Sequence, residues 1–253
     1  MWTKEVIGIG IINAEGISQF LHIINKKLSD VIEREAKQML ISTASKVRNS
    51  QKGNVIWNLN IKSETPLAFR ESTAYSGLKP EIYCNIVADS TNEWNFEKCD
   101  IVIRIWSVCE KINYREKLDS QFIRDNIQEN NNQRVIFRCH FDKARVTGEP
   151  LFHLQYGGTQ KGKLINGSKL IKEYYWHPNI PVPRIPFPPI DLVLAVEIIL
   201  ENFFPRKFNE LQSDYKWINM IKQSERMFLE NYFKKCYETI NHSSETIYRT
   251  LRS

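Results

Sequence analysis

Between Val55 and Gly158 lie five segments whose apolar residues fall on alternate positions, separated by stretches such as the polar 111–133, and on either side of that block the apolar residues return every third or fourth. This double change of period is the strongest constraint in the chain. A period of two belongs to a half-buried strand and a period near 3.6 to an amphipathic helix. In "VIWNLNIK", Val55, Trp57, Leu59 and Ile61 alternate with Asn58, Asn60 and Lys62. Residues 81–89, 99–110, 134–142 and 150–158 carry the same signature and predict at least five strands in succession. Before them, Ile17, Phe20, Leu21, Ile24, Leu28, Val31 and Ile32 form one apolar stripe that predicts a single long helix over 14–47. After them, 191–204 is apolar almost all round and predicts a deeply buried helix, stopped by Pro205. Residues 208–252 predict one or two amphipathic helices. Strands in one block and helices at both ends predict an α+β fold. The expected arrangement is an antiparallel sheet of five or more strands, covered on one face by the N-terminal helix and the C-terminal helices.

The 253 residues are read as one domain. Its expected parts are a helical segment over 1–50, a β region over 54–176, a strap over 177–190 and a helical cap over 191–253. The strap lies in "WHPNIPVPRIPFPPID", which holds six of the ten prolines. Proline favours extended backbone in the residue before it. Interleaved Ile180, Val182, Ile185 and Phe187 point to a segment packed along the body, not a free ligand for another protein's groove. Pro188 and Pro189 suit the start of the following helix.

No apolar run reaches bilayer length, and the N-terminal residues do not have the pattern of a secretory signal. Five cysteines without CxxC spacing read as buried reduced thiols, and the scattered histidines predict no metal site. A cytoplasmic, membrane-free protein without cofactors is expected. The net charge of +6 permits a polyanionic partner.

Alternation places Arg134, Arg138, His140 and Asp142 on one face of their strand and Phe137, Cys139 and Phe141 on the other. Pairing apolar with apolar in the hairpin 134–158 sets Phe141 opposite Phe152 and Cys139 opposite Leu154. It then sets His140 opposite His153 and Arg138 opposite Gln155. Arg104 joins that face from a third strand. Arginines beside histidines suit phosphate oxygens. The loop 159–172 adds Lys161, Lys163, Lys169 and Lys172, and Tyr156, Tyr174, Tyr175 and Trp176 offer rings for base stacking. His177 and Arg184 of the strap are further candidates. The expected function is binding of RNA or DNA, or assembly in a larger complex through a protein partner on the C-terminal helices. A metal-independent ribonuclease using His140 and His153 as acid and base is the enzymatic alternative. A purely structural, protein-binding subunit is the other.

Overall fold

Apolar residues three and four apart do build helices at the N-terminal end, but two of them. The computed structural model describes residues 13–50, 56–89, 96–107, 134–143, 152–156, 159–161, 172–174 and 184–242. Helix α1 (Ala14–Lys27) starts at Asn13, whose side chain accepts the Gly16 N–H at 2.9 Å. It ends at Leu28, and α2 (Arg34–Ser50) begins six residues later. The predicted single helix over 14–47 is therefore broken at 28–33. The cause is a competing set of backbone bonds. Glu33 N–H donates to Ala68 O, Arg70 N–H donates to Val31 O, and Ile32 forms a β-bridge with Phe69. Leu28, Ile32, Ala36 and Leu40 are all buried, so the stripe runs on through the break.

The strands are β1 (Ile56–Ile61), β2 (Leu67–Ala68), β3 (Leu78–Asp89), β4 (Phe96–Ser107), β5 (Arg134–Lys143), β6 (Phe152–Tyr156) and β9 (Ile185–Pro186). They form one antiparallel sheet in the order β1-β3-β4-β5-β6-β9, with β2 also paired to β3. The strap thus ends as an edge strand. The Phe187 N–H donates to Phe152 O, and its ring meets Phe141 at 5.3 Å between centroids. The basic segment 159–172, expected to be a loop, begins and ends in a separate ribbon of β7 (Thr159–Lys161) and β8 (Lys172–Tyr174).

Helix α3 (Leu192–Phe203) is capped by Asp191, whose Oδ1 accepts the Leu194 N–H at 2.9 Å. It is buried on most of its circumference, as its composition predicts. Pro205 ends it and is also the first residue of α4 (Pro205–Leu211). Helix α5 (Tyr215–Glu225), a π-helical turn (Arg226–Glu230) and α6 (Asn231–His242) follow. The helices pack against one face of the sheet. Trp57, Ile61, Cys84, Ile101, Cys139 and Leu154 on that face share one apolar core with Leu21, Leu40, Val196 and Trp217. Among the described residues, no helix is long and apolar enough to cross a membrane.

Candidate functional site on the polar face of the sheet

Alternation sends the polar half of each strand to the face away from the helices. The register aligns that half into rows. Asn60, Asn85, Asp100, Asp142 and His153 stand opposite one another in turn across β1, β3, β4, β5 and β6. The next row on the same face runs Tyr83, Val102, His140 and Gln155. The one after runs Glu81, Arg104 and Arg138. Exposure falls along the first row. Asn60 is exposed, Asn85, Asp100 and Asp142 are half-buried, and His153 is only 2% exposed.

The division into faces matches the sequence pattern, but the β5–β6 pairing is shifted by two residues. Phe141 faces Leu154 and Cys139 faces Tyr156, in place of Phe152 and Leu154. His140 faces Gln155, and His153 faces Asp142, so the two histidines are not directly opposed. A shift of two preserves every in-or-out assignment, so alternation cannot detect it. His153 Nε2 lies 3.2 Å from Gln155 Nε2, an amide N–H that donates to the ring.

Arg104 sits in a buried box. It is 3% exposed, ion-paired through Nε with Glu81 Oε1, and donates from Nη2 to the Ser63 carbonyl at 3.0 Å. Its guanidinium lies 4.7 Å from the Tyr83 ring centroid and 5.6 Å from that of Trp106. Burial pushes the Glu81 carboxyl up from its ordinary range, against the opposing pull of the Arg104 charge and the Trp106 N–H.

Arg138 and His140 line an open depression of about 330 Å³ at the β1 side of this face. Lys62, Lys98, Asn60, Asn85 and Asp100 line it too. Lys98 Nζ stands 3.3 Å from Asp100 Oδ2. His140 Nε2 lies 3.8 Å from Asp100 Oδ1 and 3.9 Å from Asp142 Oδ2. The sheet therefore brings one histidine between two aspartates, a grouping of metal-ligating types that the scattered histidines of the sequence conceal.

Arg134 pairs with Ser107 beyond a register shift in the β4–β5 ladder, and its side chain lies outside what is described. The same holds for the side chains of Lys161 and Lys172, whose backbones stand opposite each other in the ribbon. Lys163, Lys169, Tyr175, Trp176 and His177 lie outside the described residues. Arg184 is exposed at the start of the described strap. Glu197 accepts the Trp217 indole N–H at 3.0 Å and a Gln212 N–H at 3.1 Å. Sequence reasoning did not single out Asn60, Lys62, Asn85, Lys98 or Asp100. Asp100 has the same parity as Arg104 in β4, which was the available signal.

Comparison with protein-family models, with curated proteins and with solved structures gave no match. The functional reading rests on this geometry.

Proposed function

We propose that this chain is a nucleic-acid-binding module that takes a single-stranded phosphate backbone into the depression on the polar sheet face. The observation that supports it is the convergence of Lys62, Lys98, Arg138 and His140 on one open hollow, on the side of the sheet away from the helices. A guanidinium forks onto phosphate oxygens, and ammonium groups supply point charge. Asn60 and Asn85 add amides that can bond to phosphate or base edges, and Tyr83, whose ring lies against Arg104, lines the same hollow. The net charge of +6 favours the encounter.

The test is fluorescence anisotropy with labelled single-stranded RNA and DNA oligonucleotides over a salt series. Affinity should fall steeply with salt, with a log–log slope of about −0.7 per phosphate neutralised. Arg138→Ala and Lys62→Ala should each weaken binding to all sequences alike and reduce the number of phosphates neutralised by about one. Absence of binding at low salt, or variants that bind like the parent chain, would refute the reading.

A role as an assembly subunit has separate support in Tyr215, Phe233 and Tyr237, exposed at 81%, 54% and 66% on α5 and α6. Exposed rings of this size suit the centre of a protein interface. Phe233→Glu should abolish co-purification with such a partner and leave oligonucleotide binding intact. Unchanged co-purification would remove Phe233 from that role.

A further inference from the structure

Asp100 and Asp142 are direct cross-strand neighbours on β4 and β5. Like charges in that position destabilise a sheet. Both carboxylates are well shielded from water, with side chains 16% and 10% exposed. His140 is two residues from Asp142 on the same face, and one ligand atom from each of the three lies within 4.8 Å of the other two. The separations of 3.8 and 3.9 Å from His140 Nε2 to the carboxylates are too long for hydrogen bonds. Ligands sharing one divalent ion at about 2.1 Å stand about 3.0–3.4 Å apart, from octahedral to tetrahedral geometry. A closure of about 0.4–0.9 Å at the histidine, and of up to about 1.8 Å between the carboxylates, would convert one arrangement into the other.

A second observation comes from β3. Asn85 stands opposite Asp100, lines the same depression, and holds its Oδ1 buried without a hydrogen-bond partner. A buried carbonyl oxygen left in this state has lost its hydration without a compensating bond. Asn85 stands opposite Asp100 across the β3–β4 pair, and a cation there would give the oxygen a partner. Asp100 is already oriented for this, because its Oδ2 is held by Lys98 while its Oδ1 faces His140.

We propose that Asp100, His140 and Asp142, with Asn85 Oδ1 alongside, bind one divalent cation of the Mn²⁺ type. The donor set selects this class. Carboxylate and amide oxygens suit Mg²⁺, Ca²⁺ and Mn²⁺, while an imidazole nitrogen moves the preference towards the transition metals. Cys84, Cys99 and Cys139, the thiols on the same strands, are buried in the core and take no part. The cation would border the depression, which Asn85, Asp100, His140 and Arg138 line, and its remaining positions would be open to further ligands. A phosphate oxygen could occupy one of these, but the site itself does not depend on the nucleic-acid reading.

The experiment is titration of the full chain, stripped of metal and free of nucleic acid, with MnCl₂. Isothermal calorimetry and loss of the free Mn²⁺ EPR signal report binding. One saturable site per chain is expected. Asp142→Asn and His140→Ala should each weaken it by at least about 10-fold. Asn85→Asp, which adds a charged oxygen at the same place, should tighten it. Mn²⁺ should raise the thermal midpoint of the parent chain and leave that of Asp142→Asn unchanged. Lys46→Ala, an exposed change on α2, should bind Mn²⁺ like the parent. Lack of saturable binding up to millimolar Mn²⁺ would overturn the proposal. So would unchanged affinity in His140→Ala together with no gain in Asn85→Asp. If Asp142→Asn does not fold, the Asn85→Asp comparison decides, since that variant keeps all three principal ligands. Either result leaves the oligonucleotide measurements to stand or fall separately.

Discussion

Arg104→Ala is expected to destabilise the fold by about 3–5 kcal/mol, the range for breaking a buried ion pair by deleting one partner. The components are visible in the structure. The variant loses a charged hydrogen bond to the Ser63 carbonyl, worth about 1.5–3 kcal/mol. It loses the contacts with Tyr83 and Trp106, up to about 2 kcal/mol for a desolvated cation. It also leaves the carboxylate of Glu81, 8% exposed, without its countercharge. A typical domain is stable by only about 5–15 kcal/mol, and at this size about 2–4 °C of midpoint accompanies each kcal/mol. The midpoint should therefore fall by roughly 6–20 °C. The deficit should depend on pH. Burial raises the Glu81 carboxyl and Arg104 opposes the rise, so deleting Arg104 raises it further. An acid raised in the folded state contributes stability below its unfolded pKa and loses it as pH climbs through the folded value. The variant should be least impaired near pH 4.5 and most impaired at neutral pH. Urea unfolding at both pH values, followed by tryptophan fluorescence, measures this. The double variant Glu81→Gln/Arg104→Met should recover much of the loss, because neither buried charge remains. A deficit below about 1 kcal/mol, or one that does not grow with pH, would show that the pair does not hold this face together. Arg104→Ala that keeps its stability but loses oligonucleotide affinity would show instead that the guanidinium meets the ligand.

Two more outcomes are expected. Asp191 caps α3 while fully buried, and burial pushes its carboxyl up to about 6 against the bonds it accepts from the helix N-terminus. Its contribution, on the order of 3 kcal/mol, should be present near pH 4 and lost as pH rises through 6. Asp191→Asn keeps a good N-cap and should flatten the stability profile in that window, as pH-dependent urea unfolding would reveal. Burial also pushes the thiols of Cys84 and Cys139 up to about 12 and that of Cys99 well above its ordinary value. In the folded chain at neutral pH these three should resist maleimide, while half-buried Cys236, the other described cysteine, reacts before them. Peptide mass spectrometry would detect early labelling of any of the three, which would refute their burial.

The elements were legible wherever a single local rule decides them. Period two located β1 and β3 to β6, and the prolines before Asp191 marked the start of α3. Alternation also sorted Arg138, His140 and Asp142 correctly from Cys139 and Phe141. It failed where the answer depends on a partner. The break at 28–33 arises because residues near Phe69 compete for the backbone of Val31 and Glu33, and nothing within the stripe signals them. The β5–β6 register moved by two because the pattern repeats every two residues. Arg104 read as an anion ligand because parity gives its face but not its neighbour Glu81. Asp100 and Asn85 drew no notice because the rows exist only once the strand order is known.

The proline strap has a further consequence. An open sheet ends in unpaired N–H and C=O groups that another strand can copy. At the β6 end of the described order, β9 is two residues long and its second residue is Pro186, which has no N–H to offer. Proline is tolerated at such a margin and excluded from the middle of a sheet. The segment that carries the chain from sheet to helices therefore also guards that margin against self-association, with backbone chemistry where many proteins use charge.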